Sequence, residues 1–405
     1  MNKEIPAIIF LKELNKKQDG YIEYNKEKSL KLFSNLDFRE LNLKNLKNGR
    51  EVTIIDSDGV HNISSSDFLH TIDGNTSYGA NYIVFRNCKF EKLILGEISK
   101  NFVFEDCKID KLQISNINAV NENNISSINV KKGFINKLEI TNSTINYKLY
   151  FDELEIKEVG IINNAFIEEF SVKSSCIGTI IATNTDFHNL IEFHKVTFKN
   201  KFELTEIKYK ALVFFDECAF NTKAIFEYII FESFTHFRKS IFNSGLELEY
   251  TSNKEAMNFY AIKINDKSLI SQETFRIIKQ NFEVLGNKIE ANTYHALELQ
   301  KKHENAKWYS LDNIVLCFHK VSSNYSTNWL LAFFWIIIVG IVTNLGLENF
   351  IDDFQFEWIN TFKYINITHY DECLKENPLI LFFNKISLGY LYYQFLMSVR
   401  KDTRK

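Results

Sequence analysis

Proline and glycine are scarce in this chain, whose 405 residues include 2 Pro and 14 Gly. Apolar residues make up 45% and charged residues 24% of the sequence, which are the proportions of a globular protein and not of a disordered one. Against the few prolines and glycines stand 37 Phe. This excess indicates that a repeated structural unit uses phenylalanine.

The chain also lacks a strong net charge, clustered cysteines and a targeting signal. Its formal net charge of −3 gives no reason to expect a nucleic-acid partner, and it is not acidic enough to imitate DNA. The six cysteines form no CxxC pair, which favours a reducing compartment. Residues 1–18 have no small-residue cleavage pattern after their short apolar run, so we expect the N-terminal part to stay in the cytoplasm.

Motifs that mark catalytic sites are missing as well. The sequence contains no P-loop, no GxGxxG after a strand, no HExxH and no GxSxG. His188, His194 and His236, with Glu192 near the first two, match no standard zinc spacing, so we expect these side chains to point into solvent. We therefore predict no catalytic, cofactor-binding or metal-binding residues, and a protein without enzymatic activity.

A repeated comb of apolar and small residues is the main pattern in the sequence. In the segment that begins at Phe85, such residues stand at relative positions 0, 3, 5, 8 and 10. Copies of this spacing, the last three with one inserted residue, begin at Phe33, Phe85, Phe104, Val130, Ile162, Phe193, Phe215 and Phe237. A period near 20 residues with apolar steps of two and three predicts short strands joined by tight corners, with each coil stacked on the last.

The intervals between these copies are uneven, and the largest separates Phe33 from Phe85. The larger intervals indicate either coils whose pattern has decayed or insertions, such as residues 49–77. Asp56, Asp58 and Gly59 in this insertion predict a turn, because the other ligand positions of a calcium loop are absent.

A small residue stands two positions before a large apolar residue at the centre of most copies. Pairs with this spacing are Cys88/Phe90, Cys107/Ile109, Ala165/Ile167, Thr185/Phe187, Cys218/Phe220 and Ser240/Phe242. In this feature residues 33–250 resemble the pentapeptide-repeat family. The resemblance implies a mainly β fold, a right-handed parallel β-helix (pentapeptide-repeat solenoid) in which both residues of each pair face inward, preceded by an N-terminal cap at 1–32. Cys88, Cys107 and Cys218 are then expected to be core residues.

Past Tyr250 the apolar spacing becomes helical, which defines a helical module at 251–310. The first helix is predicted to begin after an N-cap at Ser271 and to end at Gly286, and the second runs from Lys288 to Glu304. The two form an α-helical hairpin. We expect this hairpin to cap the open end of the solenoid, with a peptide-binding surface as the alternative.

Residues 311–405 are predicted to form a membrane domain, a C-terminal two-segment transmembrane hairpin. Residues 329–347 carry no charge and are long enough to cross a hydrocarbon layer of about 30 Å. Three polar residues, Asn384, Lys385 and Gln394, interrupt the second segment at 379–399. These residues line a polar path, or the Lys385 side chain extends to the outer membrane interface. The residues expected within the spans are Trp329, Phe334, Trp335, Ile338, Tyr390 and Tyr393.

Basic residues flank both predicted spans on their outer sides, whereas acidic residues dominate between them. The flanking residues are Lys301, Lys302, Lys307, Lys320, Arg400, Lys401, Arg404 and Lys405. This asymmetry predicts a multi-pass protein of the inner (cytoplasmic) membrane, with the N-terminal domain and the C-terminal tail in the cytoplasm. We expect Arg400, Lys401, Arg404 and Lys405 to contact anionic lipid headgroups.

Residues 273–276, 389–395 and 400–404 also resemble the C-termini of membrane-anchored bacterial pentapeptide-repeat proteins. Some of those proteins carry a two-span ion channel with a Gly-Tyr-Gly filter, which the loop at 354–362 lacks. The predicted function is a non-enzymatic scaffold that presents a cytoplasmic solenoid to an unidentified protein partner at the membrane. The alternative is a membrane effector or pore whose hairpin assembles into a homo-oligomer, with the solenoid as sensor or assembly platform.

Overall fold

The structure, a computed structural model, describes residues 21–25, 30–44, 51–56, 59–64, 82–98, 100–115, 117, 126–350, 356–370 and 372–403. The chain divides into two compact units, Met1–Ile270 and Ser271–Lys405. The first is a parallel β-solenoid of about 8 turns, and the second is built of helices. The predicted fold class, a mainly β solenoid followed by C-terminal helices, is confirmed.

Among the described residues, 25 strands form one continuous sheet. They are β1 (Tyr21–Asn25), β2 (Leu30–Ser34), β3 (Asp37–Leu43), β4 (Glu51–Asp56), β5 (Gly59–Ser64), β6 (Tyr82–Arg86), β7 (Lys89–Leu95), β8 (Asn101–Glu105), β9 (Lys108–Ser115), β10 (Ser127–Ile145), β11 (Lys148–Phe166), β12 (Phe170–Lys173), β13 (Cys176–Phe187), β14 (Ile191–His194), β15 (Thr197–Phe198), β16 (Phe202–Tyr209), β17 (Val213–Asp216), β18 (Ala219–Phe220), β19 (Ala224–Glu227), β20 (Ile230–Phe231), β21 (Thr235–His236), β22 (Ile241–Phe242), β23 (Leu246–Glu247), β24 (Ser252–Asn253) and β25 (Lys263–Ile264). From β6 onward the pairing is parallel, so each strand lies above its counterpart in the preceding coil.

The insertion near the N-terminus is antiparallel. β3 pairs with β4, and β4 pairs with β5 with Asp56 opposite Gly59. The two residues of the predicted turn between Asp56 and Gly59, positions 57 and 58, lie outside the described residues. The solenoid resumes at β6, because Leu30 of β2 pairs with Tyr82 in parallel.

Inward side chains form continuous columns along the solenoid. One of them, which we name the Phe220 column, joins residues paired coil by coil: Phe38, Phe90, Ile109, Ile135, Ile156, Ile177, Phe198, Phe220, Phe242 and Ile264. All of its members are buried. The predicted stacking of Phe90, Ile109, Phe220 and Phe242 in one interior column is therefore confirmed.

The comb of small and apolar residues is confirmed for most copies and wrong for one. The copies that begin at Phe85, Phe104 and Phe215 have all of their comb residues buried. The copy placed at Ile162 is wrong, because its first three residues each lie one position after a buried residue; Ile162 is exposed whereas Ile161 is buried. A shift of one residue along a strand exchanges the inner and outer faces.

Two stacks of left-handed residues form corners of the coils. The first corner stack contains Asn35, Asn87, Asp106, Lys132, Glu153, Ser174, Lys195, Glu217, Lys239 and Ala261, and the second contains Asn142, Asn163, Asn184, Glu206, Tyr228 and Tyr250. These residues have φ between 47° and 56°, a conformation that costs a non-glycine residue about 1 to 2 kcal/mol. Backbone hydrogen bonds between coils offset this cost, as in the bond that Lys195 N donates to Asp216 O at 3.0 Å.

Gly133 occupies the inward position beside the first corner, where its backbone lies close to the preceding coil. At Gly133 a Cβ atom would lie 2.4 Å from the carbonyl oxygen of Cys107 in the preceding coil. Cys88, Cys107 and Cys218 occupy equivalent positions and are buried, which confirms the prediction that they are core residues.

The second unit contains seven helices in the part of the chain that is described. They are α1 (Gln272–Val284), α2 (Lys288–Asn305), α3 (Leu311–Ser323), α4 (Trp329–Phe350), α5 (Trp358–Tyr364), α6 (Glu372–Glu376) and α7 (Pro378–Thr403). Ser271 caps α1 by accepting from Thr274 N at 3.2 Å, and Gly286 follows the helix with φ 77°. The helical hairpin predicted around Gly286 is confirmed, with Lys279 and Glu298 joining its two helices at 2.8 Å. Its capping of the solenoid stays a prediction.

Candidate functional site

The outer face of the solenoid carries charges that pair between neighbouring coils. Lys111 and Glu139 approach to 2.6 Å, and Lys173 and Glu192 to 2.8 Å. Along the first corner stack, Glu217 lies 3.3 Å from Lys239. Each exposed pair contributes about 0 to 1 kcal/mol, so the pairs matter more for the charge balance of the face than for its stability.

The histidines singled out in the sequence, His188, His194 and His236, are exposed or half-buried. His188 Nε2 is 2.9 Å from Lys210 Nζ, and partial burial lowers the pKa of His188 with a smaller contribution from that ammonium. His236 lies 3.7 Å from Asp216, and burial lowers its pKa although the carboxylate opposes the shift. The described residues contain no group of three or more His, Cys, Asp or Glu side chains arranged to hold a metal ion.

The inward cysteines have no access to solvent. Cys218 Sγ donates to Phe193 O at 3.3 Å, and burial raises the pKa of this thiol to about 12. A thiol in this setting is almost entirely protonated near neutral pH and is a poor nucleophile. Its role is to pack beside the corner.

In the helical unit, α4 is the one described helix that is long and apolar enough to cross a membrane, judged by length and composition. Its qualifying segment, Trp329–Glu348, has a mean hydropathy of 2.4, and 33% of it is buried inside the protein. Phe334 is exposed, whereas Trp335 and Ile338 are half-buried. The indole of Trp335 donates to Val321 O at 2.9 Å. The second span and the multi-pass topology stay predictions.

Helix α7, the predicted second span, packs against α4 and is more polar. Ile336 of α4 forms a buried cluster with Leu388 and Leu391 of α7, and Tyr390 packs against this cluster. Tyr393 lies on the outer side and is 58% exposed.

Asn384 of α7 is buried between three segments of the helical unit. Its Nδ2 donates to Thr343 Oγ1 at 2.9 Å and to Tyr364 O at 3.1 Å. Asn344, the residue after Thr343 on α4, donates its Nδ2 to Glu357 O at 2.9 Å. These bonds tie α4, α5 and α7 together.

Gln394 belongs to a second buried polar cluster, at the other end of the same helix. Its Oε1 accepts from Ser323 Oγ at 3.0 Å and from Ser326 Oγ at 3.1 Å. Ser326 Oγ also lies 2.9 Å from His319 Nε2. Thus Asn384 and Gln394 cross-link helices at separate places along α7.

Lys385 extends to the segment that follows α5. Its Nζ donates to His369 O at 2.6 Å and to Asn366 O at 3.3 Å, and lies 5.0 Å from the centre of the Tyr370 ring. The ammonium is therefore held by backbone carbonyls and an aromatic face.

The predicted headgroup residues are partly described. Arg400 and Lys401 line a groove with Lys288, Asn292 and Met397, and burial lowers the pKa of Lys401. Asn292 Nδ2 donates to Lys401 O at 3.3 Å. Arg404 and Lys405 lie outside the described residues.

The sequence did not predict three helices of this arrangement. They are α3, whose exposed residues include Val315 and Phe318, and α5 and α6, which lie between the two apolar segments. A recognisable signal for α3 is its apolar residues at helical spacing after Ser310, whose side chain caps the helix by accepting from Asn313 N at 3.1 Å.

No protein-family model matches the chain, and no curated protein and no solved structure matches it either.

Proposed function

We propose that this protein is a non-enzymatic, membrane-anchored scaffold whose solenoid binds a protein partner. The observation that carries the proposal is the distribution of side chains in the helical unit, where large apolar residues face outward and polar residues face inward. Such a distribution is the reverse of what water favours and suits a unit surrounded by lipid.

The exposed fractions make the contrast clear. Phe383 and Leu396 of α7 and Val342 of α4 are 64%, 63% and 62% exposed, whereas Asn344 and Asn384 are 0% and 3% exposed. Burial of hydrogen-bonded polar residues between helices joins helices in lipid, where an unpaired amide is costly.

The same contrast supports α7 as the second span, although its composition is less apolar than that of α4. The polar residues Asn384 and Gln394 of α7 bond to α4, α5 and the end of α3, so their side chains are not exposed on the outside of the helical unit. What α7 presents outward includes Leu379, Phe382 and Ile386. A hairpin of two spans is therefore our proposed anchor, in an inner membrane with both ends of the chain in the cytoplasm.

The proposed role of the solenoid rests on its outer face. The inward pairs of a small and a large residue, such as Cys218 and Phe220, fit a pentapeptide-repeat solenoid, whose stacked coils present a regular outer surface. On the second corner stack, Tyr228 and Tyr250 are 52% and 68% exposed, and their rings stack at 4.8 Å. Exposed tyrosines are enriched at protein interfaces, so we place the partner contact at this corner.

Extraction of the full-length protein from membranes tests the anchor. We expect the protein to stay in the membrane pellet after a sodium carbonate wash and after a high-salt wash, and to enter solution only with detergent. Release by either wash would contradict the proposal.

A matched pair of lysine substitutions gives a second test. Val342→Lys places a charge on the outward face of α4 and is expected to cost about 2.5 to 3.5 kcal/mol of insertion free energy, seen as loss of membrane-bound protein. Ile162→Lys, at an exposed site of the solenoid, is the control and should leave the membrane fraction unchanged. Equal behaviour of the two variants would argue that α4 faces water.

A second candidate function is an oligomeric pore, which the buried polar residues Asn384 and Gln394 within apolar helices favour. Purified protein in planar bilayers should then conduct ions, and Lys385→Leu should abolish the conductance. A silent bilayer with correctly inserted oligomer would favour the scaffold.

A further inference from the structure

The segment between α4 and α7 lies beside the middle of α4. Asn344 Nδ2 bonds Glu357 O at 2.9 Å and Thr361 Oγ1 at 3.2 Å. Further along, a Cβ at Gly340 would lie 2.4 Å from Ile365 Cγ2. Because a helix rises 1.5 Å per residue, this contact is about 12 Å along the axis of α4 from its charged end at Glu348.

Contacts with helix α7 independently show how far this segment extends along the helices. Tyr392 donates its hydroxyl to Ile365 O at 3.0 Å, and a Cβ at Gly389 would lie 3.8 Å from Ile367 Cδ1. Gly389 is about 16 Å along the helix from Pro378, where α7 begins. Both helices therefore place Ile365 and Ile367 near the middle of an apolar layer about 30 Å thick.

The chain then returns toward the end of α4 at which it entered. His369 O accepts from Lys385, which lies one turn before Gly389 on α7. Leu374 of α6 packs with Leu347 and Tyr364 in a buried cluster. The segment thus begins beside Asn344 and ends beside Leu347, so it enters and leaves at the same end of α4.

We propose that residues 357–370 form a re-entrant element that dips to the middle of the membrane and is held there by polar side chains of α7. The inference rests on the proposed membrane location of α4. Backbone outside a regular helix can lie at that depth only if its carbonyl groups find partners within the protein.

Four carbonyls at and after the end of α5 have such a partner. Asn384 donates to Tyr364 O, Tyr392 to Ile365 O, and Lys385 to both Asn366 O and His369 O. Asn384 and Lys385, two of the three polar residues that interrupt the second apolar segment, thus serve one purpose, because both bind the backbone of this short segment.

The outward side of α5 agrees with contact to lipid. Trp358, Ile359 and Phe362 are 68%, 66% and 71% exposed. A seven-residue helix in water would gain nothing from three large apolar side chains on its open side. In lipid the same side chains are favourable.

Depth measurements on the full-length protein in lipid nanodiscs test the inference. The starting variant has Cys176, Cys317 and Cys373 replaced by serine, and it receives a single new cysteine at Phe362 that carries a fluorophore. We expect nitroxide groups on lipid acyl chains to quench this fluorophore as strongly as one at Val342. Ile359→Cys is a second variant in case Phe362→Cys folds poorly.

The Val342 fluorophore separates the two proposals. If it is not quenched, the membrane location of α4 is wrong and the scaffold proposal loses its anchor. If it is quenched while those at Phe362 and Ile359 are not, the anchor stands and the re-entrant element is overturned.

The holding role of Lys385 has its own measurement. Lys385→Met should raise the rate at which Phe362→Cys reacts with a membrane-impermeant maleimide by about tenfold or more, a change of about 1.4 kcal/mol in the opening equilibrium. Lys375→Met, at an exposed lysine of α6, is the control and should leave the rate unchanged. A rate in Lys385→Met equal to that of the control would overturn this role.

Discussion

A single inward residue of the solenoid is stabilised mainly by the coils above and below it. The ring of Phe220 stacks on Phe198 at 4.8 Å and on Phe242 at 4.7 Å, with interplanar angles of 16° and 6°. Its neighbours along the chain, Ala219 and Asn221, point the other way. The residue is therefore buried by partners 22 positions before and after it.

We predict that Phe220→Ala lowers the free energy of unfolding by about 3 to 5 kcal/mol, because the vacated space cannot be filled by two flanking coils held in register. Phe214→Ala in the same coil is the matched control. That ring lies on the outer face, 4.8 Å from the ring of His236, and its loss should cost about 1 kcal/mol. Urea unfolding of the full-length protein in detergent, followed by circular dichroism, measures both. Similar losses for the two variants would contradict the column.

Each corner of the coil is an element whose shape depends on residues other than glycine in the left-handed conformation. In the second corner stack, Asn163 has φ 56°, donates to Asn142 Oδ1 at 3.1 Å and accepts from Asn184 Nδ2 at 2.9 Å. The asparagine side chain tolerates this conformation, and its amide links three coils.

We predict that Asn163→Val destabilises the solenoid more than Asn163→Gly does, by about 1 to 2 kcal/mol. Both substitutions remove the amide bonds, but only valine adds the strain of a β-branched residue at positive φ. Thermal unfolding of the two variants measures the difference. If valine proves no worse than glycine, the corner conformation does not limit stability.

The sequence predicted the columns well because inward residues repeat with little variation along the chain. The copy placed at Ile162 was wrong because Ile161 and Ile162 are both apolar, so the spacing alone could not show which of the two faces the interior of the solenoid. The copies in this stretch begin at Phe151 and Val172, and the first was hidden by Leu154, a large residue in the position that usually holds a small one.

In the helical unit, the interrupting residues Asn384, Lys385 and Gln394 were recognised from the sequence, but their partners were not. The partners of Gln394 lie on the chain about 70 residues earlier, and those of Lys385 lie in a segment without a sequence pattern of its own. Contacts between such distant positions follow from packing and not from local spacing.

At the scale of the whole molecule, the proposed anchor has a consequence for the two chain ends. Two spans place both ends on one side of the membrane, whereas a single span at α4 places them on opposite sides. The basic residues before α4 and after α7 favour the first arrangement.

We predict that tags at the N-terminus and at the C-terminus are both accessible from the cytoplasmic side of sealed vesicles, and that a tag inserted at Lys375 is accessible from the opposite side. Protease protection with antibody detection of each tag measures this. Protection of only one terminal tag would show that α7 does not cross.

The constant step between late coils makes the solenoid adjustable in length. Phe198 pairs with Phe220 and Phe220 with Phe242, so excision of 22 consecutive residues from this stretch would rejoin the chain with all inner columns aligned. Duplication of the same stretch would add one coil. The solenoid can thus be lengthened or shortened by one coil, or about 4.8 Å, at a time without a change to the packing of its interior.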